Sequence, residues 1–179
     1  LRRNKNIKMI VPRHEQATSY MADGYARASR GIGVAMVVPG PGLYNAAAGL
    51  STAYSSNSRV LMIAGQIPRS TIGKDMGGLH EVNDQLETIK PVTKFQKRLL
   101  RPHEIPQGVS EAFSHLKNGR PRPVEIEMPP ETMVESEDVQ LLEASVFERT
   151  NPNDDSIAES VKIILNAKKP VIYAGTGVI

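Results

Sequence analysis

Apolar residues along this chain gather into short blocks that break, one after another, at proline or glycine. The block 7–11, Ile-Lys-Met-Ile-Val, stops at Pro12. A second, 34–38, breaks into Pro39-Gly40-Pro41-Gly42, and a third, 59–64, into Gly65-Gln66. Blocks of this length with such punctuation predict buried strands. Between them the period changes. Over 16–29, Ala17, Tyr20, Met21, Gly24, Tyr25 and Ala28 recur at helical spacing. Gly24 in a helix interior costs roughly 1 kcal/mol against Ala, so it predicts close packing at that point. The stretch 43–54 predicts a helix of small residues, Ala46, Ala47, Ala48, Gly49 and Ala53, suited to close approach to a sheet.

The segment 67–90 departs from that rhythm, with Gly73, Gly77, Gly78 and no clean period. A long irregular loop in a compact domain points to function or disorder. Strand character returns over 92–100. The clearest helix follows at 104–116, with Ile105, Val109, Ala112, Phe113 and Leu116 on one face and Asn118-Gly119 as its stop. A last strand, 123–128, ends at Pro129-Pro130. Apolar strands alternating with helices predict an α/β fold: a parallel sheet with helices on both faces, three-layered and flavodoxin- or Rossmann-like. This first domain is expected over 1–130. The acidic stretch 131–155 reads as a linker, with a turn-rich end at Asn151-Pro152-Asn153-Asp154-Asp155. An amphipathic helix over 156–166 and a strand over 169–174 then predict the start of a second α/β domain, 156–179.

Composition narrows the function classes. With 40% hydrophobic and 23% charged residues the chain can build a core. It has no cysteine, which excludes disulfide scaffolds and thiolate chemistry and fits a cytoplasmic protein. A formal charge of +3 without a basic block, and only 4% aromatics, argue against a nucleic-acid reader. No apolar run reaches the roughly 18 residues that cross a bilayer, so no membrane partner is expected. Leu1-Arg2-Arg3-Asn4 is polar and no signal peptide opens the chain. The missing initiator methionine suggests a piece of something longer.

Ligands of open α/β sheets sit outside the carboxyl ends of the strands, and the three broken blocks place special residues there. Glu15 follows the first, either as a carboxylate favoured by a helix start or as a functional acid. Pro41, Gly42 and Asn45 follow the second. The dinucleotide pattern G-x-G-x-x-G is not completed, because Asn45 stands where its third glycine belongs. Gln66 follows the third, as a capping amide or a ligand contact. In the irregular loop, Leu79-His80 precedes Glu81, and His80 reads either as an exposed loop residue or as a substrate contact. His14, His103 and His115 form no metal set with it, so no metal ligand is expected within the chain. A dinucleotide oxidoreductase and a non-catalytic α/β module remain the rival classes on these features alone.

The pieces together resemble a known family. His14-Glu15-Gln16, then Met21-Ala22-Asp23-Gly24-Tyr25-Ala26-Arg27-Ala28, Pro39-Gly40-Pro41-Gly42 with Asn45, Gly65-Gln66, Ser70-x-Ile72-Gly73 with Asp75, and Gly119-Arg120-Pro121-x-Pro123-Val124 stand in the order found in one family. It is that of the thiamine-diphosphate enzymes of the acetolactate synthase, pyruvate oxidase and benzoylformate decarboxylase type. The chain resembles their N-terminal, pyrimidine-binding domain. The resemblance implies thiamine diphosphate as cofactor, with Glu15 bonding its aminopyrimidine ring. It places Pro41, Gly42 and Asn45 along the pyrimidine and Gln66 near the reacting end. It implies decarboxylation of a 2-oxo acid, transfer of the resulting acyl carbanion, or both. A carboxylate in that role is expected to be buried, with a raised pKa.

Diphosphate and Mg²⁺ would be held by a domain outside this chain, since the family's Gly-Asp-Gly…Asn motif is not in it. The family's first strand and glycine loop would precede Leu1, and the piece alone is expected to be inactive. FAD in the middle domain is left open. Active sites between subunits imply a homodimer or homotetramer. Two departures bear on substrate: Leu79-His80 stands where acetolactate synthases carry Phe-Gln, and Pro129-Pro130-Glu131 where they carry Pro-Lys-Asp.

Overall fold

The computed structural model describes residues 4–144, 151–175 and 178, and it divides into two compact units, Leu1–Phe147 and Glu148–Ile179. In the first, the chain runs α1 (Glu15–Ser29), β1 (Gly33–Val37), α2 (Pro41–Ser55), β2 (Val60–Gly65), α3 (Gln85–Ile89), a 3₁₀ turn at Lys90–Val92, β3 (Gln96–Arg98), α4 (Glu104–Lys117), β4 (Val124–Met128) and α5 (Pro130–Val134). The four strands form one parallel sheet in the order β1-β2-β4-β3. Gly33 lies opposite Val60, Leu61 opposite Val124, and Gln96 opposite Glu125. Helices cover both faces, as the alternation of the sequence predicts.

On one face α1 and α2 pack against the sheet through Ala22, Ala35, Leu43, Ala46, Leu50, Ala53, Val60, Met62 and Ala64. On the other, Ala112 and Leu116 of α4 meet Leu61, Leu99, Val124 and Ile126. Small residues make the first of these layers thin. A methyl group on Gly49 of α2 would collide with Ser19 Oγ and approach the Tyr20 amide nitrogen to 2.8 Å, and one on Gly33 would run into the Ala22 backbone. That closeness decides which side of α1 faces in. It buries Ser19, Ala22, Asp23 and Ala26, whereas Tyr20, Met21 and Tyr25 are exposed. The apolar stripe of the sequence is therefore not the packed face, because its large side chains do not fit so narrow a gap. Gly24, expected at a close contact, has open space where its side chain would be. Gly33 and Gly49 fill that role.

Four other expectations differ from the fold. Residues 7–11 form no strand, and Ile7, Met9, Ile10 and Val11 are exposed. An apolar block becomes a strand only where a neighbour satisfies its backbone, and β1, β2, β3 and β4 pair only with one another. The strand expected over 92–100 shrinks to Gln96–Arg98 behind the 3₁₀ turn. The stretch read as a linker begins as structure: Glu131 accepts the Arg69 amide (3.1 and 3.2 Å), Glu135 accepts the Arg69 guanidinium (2.8 and 3.0 Å), and Thr132 Oγ1 donates to the Leu100 carbonyl (2.7 Å). In the second unit, α6 (Asp154–Asn166) starts on Asn153, whose side chain accepts the Ser156 amide at 2.7 Å. Residues 169–174 form no strand, and Val171, Ile172 and Tyr173 are exposed. They too have no strand to pair with among the described residues.

The first unit also buries two carboxyl groups on β4. Glu125 is fully enclosed and neither oxygen finds a hydrogen-bond partner among the described residues. Burial, and next the neighbouring charge of Glu127, push its pKa well above the ordinary carboxylate value of 4.5. The folded form thus keeps a proton that the unfolded chain releases, so stability should fall as pH climbs from about 4.5 towards the raised value. Glu125→Met, of similar size, removes that cost. Thermal unfolding should show the variant more stable by about 1–4 kcal/mol at pH 8, with the advantage shrinking below pH 4. A gain independent of pH would mean that Glu125 is not protonated in the fold.

Candidate functional site

Two helix starts meet at the carboxyl edge of the sheet. α1 begins at Glu15, and its N-cap His14 is extended (φ −143°, ψ 141°) and accepts the Gln16 amide on Nδ1 at 3.1 Å. α2 begins where β1 breaks. Gly40, with φ +56°, turns the chain, and Pro41 at the first helical position fixes φ for the helix. Gly42 follows, buried where the two helix starts pack together. A methyl group there would meet Val38 Cγ2 at 2.6 Å and Glu15 Cγ at 3.6 Å. One turn on, Asn45 donates from Nδ2 to Glu15 Oε2 at 3.1 Å. The structure thus brings Glu15, Gly42 and Asn45 together, with Pro41 exposed at the lip. An open depression of about 490 Å³, lined by His14, Gln16, Ala17, Tyr20 and Met21, lies along the same helix start.

Glu15 is half-buried and its pKa lies below the ordinary value. Its own backbone amide is the first cause, the Asn45 amide the second. This corrects the expectation of a buried carboxyl with a raised pKa. A carboxylate in a first turn faces free N–H groups and the positive end of the helix dipole, which favour its charged form. The turn at Gly40 is also not a phosphate cradle. Its amide is committed to Gln85 Oε1 (2.7 Å), and the Gly42 amide to the Pro39 carbonyl (3.4 Å).

Gln66 points inward. It is only 7% exposed, donates from Nε2 to Glu127 Oε1 (3.1 Å), and accepts the Ile67 amide on Oε1 (2.7 Å). Its amide is therefore spent beneath the site. Leu79 and His80 sit in the loop that crosses the Gly40 turn: a methyl on Gly40 would strike the His80 carbonyl. Leu79 is 84% exposed, and His80 has the left-handed φ of +68°. Glu81 pins this loop by accepting the Gly78 and Met76 amides at 2.8 and 3.2 Å. These bonds, Gly78 first, hold its pKa below the usual range. Among the described residues no three His, Asp or Glu side chains gather as a metal would need, and no helix is long and apolar enough to cross a membrane.

Sequence reasoning missed the layer under the site. Glu127, wholly buried, accepts Gln66, Gln85 (Nε2, 2.6 Å) and Arg98 (Nε). Gln85 donates from the same nitrogen to the Gly65 carbonyl at 2.9 Å. The available signal was the run Val124-Glu125-Ile126-Glu127-Met128, with two acids at alternate positions of an otherwise apolar strand. An internal strand can carry such residues only if they are neutral or partnered.

Comparison with known proteins adds the following. Residues 1–88 match the family model of the thiamine pyrophosphate enzyme N-terminal TPP binding domain. The acetolactate synthase large subunit of Buchnera aphidicola subsp. Schizaphis graminum is 35% identical over 179 residues, which cover 97% of this chain and 31% of that protein. The probable acetolactate synthase large subunit of Methanocaldococcus jannaschii is 37% identical, over 98% of this chain and 30% of its own length. The probable 2-ketoarginine decarboxylase AruI of Pseudomonas aeruginosa is 32% identical, over 96% and 31%. The chain spans under a third of each of these relatives.

The Glu15–Asn45 bond can be tested without any ligand. Replacing Asn45 by Leu removes the second-largest of the groups that favour the charged carboxylate, so the Glu15 pKa should rise towards the ordinary value while remaining below it. Carboxyl ¹³C titration by NMR reads this directly. An unmoved pKa would show that Asn45 does not bond Glu15 in solution.

Proposed function

We propose, from the premise that this chain belongs to the thiamine pyrophosphate enzymes through their N-terminal TPP binding domain, that Glu15 is its cofactor-activating carboxylate. The reaction we assign to the whole protein is decarboxylation of a 2-oxo acid, transfer of the resulting acyl group, or both. The observation that carries the reading is the meeting of Glu15, Asn45 and the closely packed Gly42 at one helix junction. An aminopyrimidine edge offers donors and acceptors side by side. Here an acceptor carboxylate stands next to a side-chain amide, at a junction where only glycine at position 42 leaves room for Val38 and Glu15. The residues fit the group. When bound, thiamine diphosphate supplies an electron sink for the carbon–carbon bond cleavage.

The chain's own residues supply the rest. Glu15, charged near neutral pH because of its place in the first turn, accepts a hydrogen bond from a ring N–H and holds that proton on the ring. Asn45 keeps the carboxylate aimed. Pro41 and Gly42 line the ring's flank. Gln66 acts from below, through Glu127, in place of the direct contact that the family resemblance implies. Contacts to diphosphate and Mg²⁺, and the second half of the site, belong in this proposal to residues outside the chain, and the active protein is at least a homodimer.

One observation favours a substrate other than pyruvate. The His80 backbone lies against the Gly40 turn and the neighbouring Leu79 is exposed, and the pair departs from the Phe-Gln of acetolactate synthases. A relative named as a probable 2-ketoarginine decarboxylase lies as near this chain as several named as synthases. We therefore place an altered 2-oxo acid preference on this loop, as a decarboxylase or as a carboligase with another donor or acceptor.

Two measurements on the full-length protein test the reading. Glu15→Gln, which keeps shape but not basicity, should lower thiamine-diphosphate-dependent turnover of 2-oxo acids by about 100-fold or more. Equal rates in variant and wild type would overturn the assignment. For the loop, kcat/KM compared across pyruvate and bulkier 2-oxo acids should change its ranking in His80→Ala. An unaltered ranking with unaltered turnover would remove His80 from the substrate side.

A further inference from the structure

The amide of Gln85 is saturated and one-way. Its oxygen accepts the Gly40 N–H at 2.7 Å, while its nitrogen donates to Glu127 Oε2 at 2.6 Å and to the Gly65 carbonyl at 2.9 Å. It is 1% exposed, so no water competes for these bonds. Turning the amide over would set its NH₂ against the Gly40 N–H and its oxygen against a carboxylate, which leaves one stable orientation. The acceptor at the base of this arrangement is itself fixed. Glu127 is wholly buried and bound also by Arg98 Nε and Gln66 Nε2. The far end is the most constrained point of the site. Gly40 is the N-cap of α2, in a left-handed conformation, and its carbonyl accepts the Tyr44 amide at 3.0 Å.

We infer that Gln85 is a positioning residue for the site: it carries the rigidity of the buried Glu127–Arg98 pair across 45 residues of sequence to the Gly40 turn. Through that turn it sets where Gly42 and Asn45 stand against Glu15. The side chain's hydrogen bonds go to Gly40, Gly65 and Glu127 rather than to Glu15, so its effect on Glu15 passes through the backbone of the turn. The consequence for ligand binding rests on the function proposed above, whereas the hold on the Gly40 turn does not.

The test uses the full-length protein with Gln85→Met, and Gln66→Met as a matched control. The control also removes a donor from Glu127 but has no bond to Gly40. Hydrogen–deuterium exchange over peptides spanning Met36–Tyr44 reads the Gly40 amide, and calorimetry reads thiamine diphosphate binding in the presence of Mg²⁺. In the wild type the Gly40 amide should exchange slowly. Gln85→Met should speed that exchange, and weaken cofactor binding, by about tenfold or more, while in Gln66→Met the Gly40 amide should exchange close to the wild-type rate.

An unprotected Gly40 amide in the wild type overturns the inference, even if Gln85→Met does not fold. So does a Gln66→Met protein whose Gly40 amide exchanges as fast as that of Gln85→Met, since that is general loosening. A wild type that takes up no thiamine diphosphate would sink the proposed function instead, and the exchange comparison would still decide what Gln85 holds.

Discussion

A carboxylate with no access to water has to be met by donors, and at the carboxyl edge of this sheet that requirement organises everything nearby. Glu127 on β4 is wholly buried, and its partners arrive from separate parts of the chain: Gln66 from the end of β2, Gln85 from α3, and Arg98 from β3. Enclosing such a charge without partners costs several kcal/mol, and removing one partner from a buried pair costs about 3–5 kcal/mol. No segment bearing a donor can therefore drift. Parallel strands need this kind of reference, because their helical crossovers leave the strand ends to loops that have no ladder of their own. Here the loops are registered from beneath, by side-chain amides.

The opposite face of the argument is the thin layer between α1, α2 and the sheet. Ser19, Ala22, Gly33 and Gly49 allow main chain to approach main chain. Because those helices lie so close, their first turns end up near enough for Asn45 to reach Glu15 across 30 residues of sequence. A bulkier layer would separate the two helix starts and dissolve the pair. Packing and site are thus one feature. The small residues that keep Tyr20 and Tyr25 out of the core are the ones that bring the carboxylate and the amide together.

This explains how far the sequence alone could be read. β1, β2, β4, α2 and α4 follow from local periodicity and punctuation, because their partners are satisfied within the sheet they build. Residues 7–11 and 169–174 carry the same signal and form no strand, since apolarity marks what could be buried while pairing decides what is extended. The face of α1 was misjudged for a related reason: period says which residues share a side, and only the width of the gap says which side fits. Glu15, Gly42 and Asn45 were legible as strand-end and helix-start residues. Gln85 was not, since its bonds span 20 to 45 residues and leave no trace at short range, and Glu127 showed only as an acid in an apolar strand.

Glutamate appears in this domain in opposite electrostatic settings, and the contrast bears on the site. Glu125, on a central strand, has no donor and is driven towards its neutral form by burial. Glu15, at a helix start, has a backbone amide and Asn45, and is driven towards its charged form. Residue type is the same, so position alone sets the direction. A neutral, sealed carboxyl can neither accept a ligand's N–H as an anion nor exchange its proton with one. A charged carboxylate at an open helix junction can accept that N–H or take up a proton from it, and needs only a neighbour to keep it aimed. The fold places that neighbour, Asn45, on α2, and places under α2 the one turn that a buried network holds still. In the function proposed here, the capacity to act on a bound ring rests on where the helix begins, and its precision on what lies below it.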